Sequence, residues 1–286
     1  MKKLFREYKS MLKPLPIEGI PDLFIFRPIA FIIVKIASRF PVTPNQISLA
    51  ALVTGISSGV CFALGTPKSW LWGGILYGST AVLDCSDGML ARYKKNGTPI
   101  GRIIDGTIDY INGLAIYLGL AIGLTKIGIM SPANAWLLVA LAGLSMAVHS
   151  ILVDHYRGQF FIHALGVRQS LQDEIALFTE ELKQTPRMSL GWIFIKIYIS
   201  YNRIQEKFSL HHTRHDPEKY YRINAIMLKL WQFIELSMHI CILIVSAVLF
   251  RPKVFLIYTI VIANLWIVVL FPIQIFVNKH TSIPKK

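Results

Sequence analysis

Charge is what this sequence has least of. Asp, Glu, Lys and Arg make up 16% of its 286 residues, where a soluble domain carries about 25%. With 53% hydrophobic residues and a mean hydropathy of +0.50, the chain cannot hide its apolar content behind water-facing side chains, which excludes an ordinary soluble domain. Acids are scarcer than bases, 16 against 30, for a net charge of +14. Such an excess in a soluble protein would suggest nucleic acid. Here the basic bias of cytoplasmic loops and the attraction of anionic headgroups account for it, and no nucleic-acid partner is expected. Cysteine is nearly absent: Cys61, Cys85 and Cys241 lie in or beside apolar runs without CxxC spacing, so neither a disulfide framework nor a zinc site is indicated. No internal repeat is visible. The basic start "MKKLFREYKSMLK" runs into "PLPIEGIPDLF" rather than an apolar core with a small-residue cleavage site, so no cleavable signal is expected.

What is present is a series of apolar runs near the length of a bilayer crossing, about 20 residues. The sequence therefore predicts an all-α, polytopic membrane bundle of six transmembrane helices with an N-terminal interfacial amphipathic helix. Residues 1–40 form that interfacial segment, where "FRPIAFIIVKIASRF" mixes Ile and Phe with Arg27, Lys35 and Arg39. Residues 41–286 form the membrane domain. Span one starts at "VTPNQIS", with Thr43 as cap, Pro44 at the first helical position and Gln46 completing a capping box, and runs to about Leu64. Span two covers about Trp70 to Arg92. Span three starts at Thr98–Pro99 and ends near Leu124; span four starts at Ser131–Pro132 and ends near Val153. Spans five and six cover about Asn224–Phe250 and Val254–Val277. A polar, basic insert at about 154–225 separates spans four and five. "RQSLQDEIALFTEELKQTP" reads there as a surface helix, and "WIFIKIYISYNRIQEKF" as an amphipathic one. Lys and Arg concentrate in the N-terminus, the turn at Lys94–Lys95, the insert and the tail, so that side is expected to be cytoplasmic.

The acids that do occur are unusually placed. Asp84, Asp87, Gly88 and Ala91 recur at i, i+3, i+4, i+7 near the end of span two, and Gly101, Asp105 and Asp109 at i, i+4, i+8 near the start of span three. Each set shares one helix face. A short basic turn makes the two helices antiparallel neighbours, so the faces meet and the carboxylates converge. Four like charges in a partly dry cleft require countercharge. Arg92 and Arg102 neutralise at most two of them, whereas hard divalent cations accept several carboxylates together with phosphate oxygens. Gly88 and Ala91 leave room for a flat ligand, and Arg92 offers a planar fork to phosphate.

The string Asp84-x2-Asp87-Gly88-x2-Ala91-Arg92-x8-Gly101-x3-Asp105-x3-Asp109 resembles, at every fixed position and spacing, the signature of the CDP-alcohol phosphotransferase family. Pro44-Asn45-Gln46 resembles the family's segment before its first span. The resemblance implies transfer of a phosphatidyl or other substituted phosphoryl group from a CDP-alcohol to an acceptor alcohol with release of CMP. It also implies two divalent cations, Mg²⁺ or Mn²⁺, held by Asp84, Asp87 and Asp105 with Asp109 close by. Asp109 would be the base, and Asn45, Gly88, Ala91, Arg92 and Gly101 would hold the nucleotide. A homodimer is expected on resemblance alone.

Other features carry two readings. Glu235 and His239, at i, i+4 inside span five, either line the acceptor cavity or staple the span to a neighbour. His149 and His155 read as packed or interfacial residues. "HHTRH" at 211–215 reads as a solvated basic loop, because no Cys or acid completes a metal site. Trp70, Trp72, Trp192, Trp231 and Trp266 read as interfacial or lipid-facing. Two rival functions use intramembrane acids. A Mg²⁺-dependent prenyltransferase would show two separate aspartate clusters on distant helices, and a cation-coupled transporter would show repeat symmetry with acids near the midplane.

Overall fold

Five helices begin with a polar cap followed by proline. The side chains of Thr43, Thr66, Thr98, Ser131 and Asp216 accept the backbone N–H of Gln46, Ser69, Gly101, Asn134 and Lys219. Proline loses nothing at the first helical position, where its missing donor would be unpaired anyway. The three expected caps at Thr43, Thr98 and Ser131 are all present, and Thr66–Ser69 adds a second capping box where only a turn was foreseen.

The computed structural model describes residues 2–166, 171–187, 189, 191–193, 195–196, 198–200 and 215–283. In chain order the helices are α1 (Lys2–Met11), α2 (Arg27–Ala37), α3 (Pro44–Leu64), α4 (Pro67–Lys94), α5 (Pro99–Ile127), α6 (Pro132–His163) and α7 (Leu171–Gln184). They are followed by α8 (Pro217–Trp231), α9 (Leu236–Val248) and α10 (Pro252–Thr281). The described residues of 191–200 are also helical, while 201–208 of the second insert helix and His211–Arg214 of the histidine cluster lie outside the described residues. Among the described residues there is no strand, only an isolated bridge between His215 and Ser282.

Length and composition make five stretches membrane-crossing candidates: Pro44–Leu64, Ile100–Ile127, Pro132–His163, Pro217–Val248 and Pro252–Thr281. The other expected span, α4, has 28 residues, enough for about 42 Å at 1.5 Å per residue, but not the same apolar content. Its buried residues mix large apolar side chains, Trp70, Met89 and Leu90, with the small or polar Gly73, Gly74, Thr80, Ser86 and Asp87.

α3 packs along both α4 and α5, and α9 and α2 cover other parts of α4. The close approach of α3 to α5 depends on Gly59 and Gly119. A Cβ on Gly59 would run into the Ala115 carbonyl, and one on Gly119 into the Gly59 carbonyl. α1, α2 and the segment between them pack on α4 through Met11, Phe26, Ala30 and Val34, while Ile29, Ile32 and Ile36 remain exposed.

The structure departs from the expected spans in four ways. α8 starts at Pro217, capped by Asp216, about two turns before the expected Asn224, so the insert is shorter than 154–225. α6 runs nearly three turns past Val153 to His163, because Tyr156 and Phe160 continue its buried stripe. Span five is broken: after Trp231 a 3₁₀ turn at Gln232–Ile234 leads to an extended Glu235 (φ −74°, ψ 157°) before α9 resumes. α10 contains a π turn at Tyr258–Ile262. Two tryptophans expected at the lipid interface are fully buried. Trp70 packs edge-on against Phe62 and Phe250, and Trp231 stacks on Tyr156 and donates to Gln274 Oε1 at 2.9 Å. Trp72 is exposed, as expected.

Substituting Gly119→Val should push α3 and α5 apart and cost roughly 1–3 kcal/mol or more, the range for overpacking a tight site. Thermal unfolding in detergent should show a clear drop in Tm. Gly113→Ala, where a Cβ meets nothing within 4 Å, should leave Tm unchanged.

Candidate active site

The aspartate spacing resolves into two facing helices. α4 carries Asp84 and Asp87 one turn apart, and α5 carries Asp105 and Asp109 one turn apart. One carboxylate oxygen each from Asp84, Asp105 and Asp109 lie within 4.8 Å of one another. Asp84 and Asp105 are half-buried and Asp109 is exposed. Asp87 is buried beside this triad. Its Oδ2 accepts a 2.6 Å hydrogen bond from Ser48 Oγ on α3, and its carboxyl and that of Asp84 both meet Asp105. The four predicted acids are therefore brought together, three converging on one point and the fourth anchored to α3.

This donor set fits a hard divalent cation. The oxygens are carboxylate, no soft ligand is present, and among the described residues no Lys or Arg forms an ion pair with any of the three. The charge of Lys13, from the segment after α1, acts on both Asp84 and Asp105.

Beside the acids lies a cavity of about 240 Å³ whose walls include Asn45, Ser48, Asp87, Gly88, Ala91, Gly101, Arg102 and Asp105. Four of the five residues expected around a nucleotide line it. A Cβ on Gly101 would stand 3.3 Å from Asn45 Oδ1 and 3.0 Å from Thr98 Oγ1, so the absent side chain keeps this wall open. Arg92 is not part of the lining. Its Nε donates to the Met11 carbonyl at 2.6 Å, with the guanidinium over Gly88. Ser48 and Arg102 were not assigned to the site from sequence. Ser48 had a readable signal, lying one turn after Pro44 on the face that α3 turns to α4.

The acceptor-side candidates are placed apart from each other. Glu235 pairs with Arg157 of α6, and its second oxygen, Oε2, has no hydrogen-bond partner among the described residues. Glu235 Oε2, Ser237 Oγ and Asp22 Oδ2 converge over Gly19, each within 3 Å of where a Cβ would stand. The charge of Asp22 acts on both Asp84 and Glu235. His239 is buried deeper. Its ring stacks on His149, with Nε2 3.2 Å from His149 Nδ1 and Nδ1 3.1 Å from Thr259 Oγ1.

Residues 41–178 match the profile of the CDP-alcohol phosphatidyltransferase family. A phosphatidylinositol phosphate synthase from Corynebacterium glutamicum is 33% identical over 97 residues, covering 34% of this chain and 42% of that protein. A bifunctional IPC transferase and DIPP synthase from Aquifex aeolicus is 29% identical over 189 residues, 65% of this chain and 42% of that protein. An archaetidylinositol phosphate synthase from Pyrococcus horikoshii is 30% identical over 89 residues, 31% of this chain and 46% of that protein. The chain thus spans less than half the length of each of these relatives. The matched segment, just under half of the chain, contains all four aspartates and the walls of the cavity beside them, and it supports a place in the CDP-alcohol phosphotransferase family.

Proposed function

We propose that this protein is a membrane enzyme that transfers a substituted phosphoryl group from a CDP-alcohol to an acceptor alcohol and releases CMP. The observation that carries this reading is the meeting of Asp84, Asp105 and Asp109 beside the cavity walled by Asn45, Gly88, Ala91 and Gly101. Small residues make room for a nucleotide next to acids that attract cations. Two divalent cations, Mg²⁺ or Mn²⁺, held by Asp84, Asp87, Asp105 and Asp109 would neutralise a pyrophosphate and stabilise its leaving half. Asp109, the exposed member, takes the proton of the acceptor hydroxyl. The freed oxygen attacks the phosphorus bearing the alcohol, the bond to the CMP oxygen breaks, and CMP leaves with the electron pair.

The lipid sits on the donor and the acceptor is polar. Relatives named for synthesis of phosphatidylinositol phosphate and archaetidylinositol phosphate support that arrangement. The acceptor lies against Glu235, near Ser237 and Asp22, where buried oxygens lack partners. His239, four residues along the chain from Glu235, belongs to the same reading. α4 crosses the membrane with the five apolar helices, residues 1–40 lie in the interface, and the active site and both termini face the cytoplasm. Homodimerisation belongs to the same reading. A prenyltransferase would need a second acidic cluster, and among the described residues only one group of three acids converges.

Purified protein supplied with a CDP-diacylglycerol donor and a panel of hydroxylated acceptors should release CMP. EDTA should abolish the reaction and Mg²⁺ or Mn²⁺ restore it. Asp84→Asn, Asp87→Asn and Asp105→Asn should each lower kcat by at least about a hundredfold with Tm preserved. Full turnover in metal-stripped protein would refute the mechanism. Glu235→Gln and His239→Ala should change acceptor KM or the pH profile more than donor KM. Loss of Tm with wild-type kinetics would make them a structural staple instead.

The surplus of Lys and Arg on one side sets the orientation. In a background lacking the native cysteines, an impermeant thiol reagent applied to intact cells should miss cysteines at Lys3 and Lys183 and label those at Lys68 and Lys253. The opposite pattern would invert the topology.

A further inference from the structure

Between α1 and α2 the chain runs from one half of the site to the other. At its start the Met11 carbonyl accepts from Arg92 Nε at 2.6 Å, and the Arg92 guanidinium lies over Gly88, a wall of the cavity beside the acids. Farther along stands Gly19, where Glu235 Oε2, Ser237 Oγ and Asp22 Oδ2 converge. Lys13 lies between these two points. Its own backbone N–H donates to Glu18 Oε1 at 2.5 Å, and the other Glu18 oxygen accepts from Arg27 Nε at 2.6 Å. Lys229 Nζ donates to the carbonyls of Leu15 and Glu18, and Gln232 Nε2 to that of Pro16. Contacts from α2, α4, α8 and the turn after α8 therefore fix the backbone on both sides of Lys13.

The Lys13 side chain, by contrast, is not engaged. The residue is exposed, and among the described residues its Nζ forms no hydrogen bond or ion pair. Its charge nevertheless acts on Asp84 and Asp105 in the acid cluster and on Asp22 and Glu235 near Gly19. Neighbouring bases are occupied: Arg27 by Glu18, Arg157 by Glu235, and Lys229 by its two carbonyls. An unpaired ammonium thus serves both sets of carboxylates and is bound to neither.

A phosphorus that joins the leaving CMP to an incoming acceptor oxygen must be attacked between the donor and acceptor halves. Its non-bridging oxygens carry negative charge through the transfer. Lysine suits such a target, being a compact charge on a flexible four-carbon stem, with three donors that require no fixed plane.

We propose that Lys13, carried by the fixed segment from Met11 to Gly19, binds the non-bridging oxygens of the phosphoryl group under transfer. The inference rests on the reading of the protein as a CDP-alcohol phosphotransferase. It adds a ligand for the reacting group that comes from neither α4 nor α5. Two competing roles make different predictions. As countercharge to Asp84 and Asp105, Lys13 would set metal affinity. As a site for an anionic acceptor, it would set acceptor KM alone.

CDP and CMP separate these roles, because CDP carries a second phosphate in the position of the transferred group and CMP does not. The test is calorimetric titration of the purified full-length protein with each nucleotide in Mg²⁺. Mn²⁺ titration of nucleotide-free protein and the kinetics of CMP release from CDP-diacylglycerol accompany it. Lys13→Gln should weaken CDP binding about tenfold, the loss of one charged hydrogen bond, and CMP binding less than about twofold. Mn²⁺ affinity should rise less than about threefold, because the charge lies beyond ion-pair distance from the acids. The kcat for transfer should fall about tenfold to a hundredfold, with acceptor KM within about twofold of wild type. Lys13→Arg, which keeps the charge, should recover CDP affinity to within about threefold of wild type. Lys9→Gln, which removes an equal charge from α1, should change none of these. Lys13→Met, which keeps the apolar stem, answers the same questions if Lys13→Gln lowers Tm.

Equal losses of CMP and CDP affinity in Lys13→Gln would overturn the phosphoryl assignment. So would a gain in Mn²⁺ affinity of about tenfold or more, or a raised acceptor KM with CDP affinity intact. If the wild-type protein neither binds CDP nor releases CMP, the phosphotransferase reading falls and the inference with it. If it does both and the folded Lys13 variants match it, the inference alone falls.

Discussion

Carboxylate oxygens from Asp84, Asp105 and Asp109, held within 4.8 Å of one another, repel unless something positive stands between them. Much of this end of the bundle is organised by that repulsion. The acids cannot drift apart, because α4 and α5 both pack along α3, with Gly59 and Gly119 backbone to backbone. They cannot all turn to water either, because Asp87 is tied to Ser48. Rigid backbones thus hold like charges together, an arrangement whose chemistry suits a divalent cation. The same packing leaves the cavity beside the acids. Small residues let the helices approach, and where Gly88, Ala91 and Gly101 face one another they leave space for a ligand.

A second set of charges is handled by pairing rather than by convergence. Arg27 and Glu18 form a buried ion pair at 2.6 Å, and Arg157 pairs with Glu235. Lys229 donates to the carbonyls of Leu15 and Glu18, and Gln232 to that of Pro16. These contacts fasten the segment between α1 and α2 against α8 and the break after it. Removing one member of such a pair leaves a buried charge alone, at about 3–5 kcal/mol, so this strap is fixed in place. It carries Lys13 toward the acids and Asp22 toward Glu235. Farther into the bundle, Thr259, His239, His149 and Asn264 form a polar chain across three helices. Asn264 Nδ2 donates to the carbonyls of Thr259 and Ile260, which answers the backbone acceptors that the π turn releases within an apolar environment.

How much of this could be read in the sequence depended on the range of the interaction. Caps are local: a hydroxyl, a proline and a polar residue within four positions specify a helix start, and Thr43, Thr98 and Ser131 were legible for that reason. Aspartates on two consecutive helices joined by a short turn are nearly as local, so their convergence followed from i, i+3 and i, i+4 spacing. The break at Gln232–Glu235 was not legible. No Gly or Pro marks it, and it is held by Pro16 and Arg157, far away in the chain. The burial of Trp70 and Trp231 was missed for a related reason. Tryptophan in an apolar run suits an interface, but Gln274, which accepts from Trp231, and Phe62 and Phe250, which pack on Trp70, come from elsewhere in the chain.

The two halves of the proposed site differ in the same respect, and this bears on how substrate choice is encoded. The donor half lies within residues 43–105 and is built largely from small side chains. It forms whenever α3, α4 and α5 pack, and it makes few demands on the rest of the molecule. The acceptor half draws on Asp22, Arg157, Glu235 and Ser237, which meet only because a strap, a long α6 and a broken span arrive together. A change of length in α6 or in the broken span would rearrange the acceptor side and leave the α4 and α5 backbones that carry the acids in place. On this architecture one phosphotransfer chemistry can be retained while the accepted alcohol is altered by elements far apart in sequence.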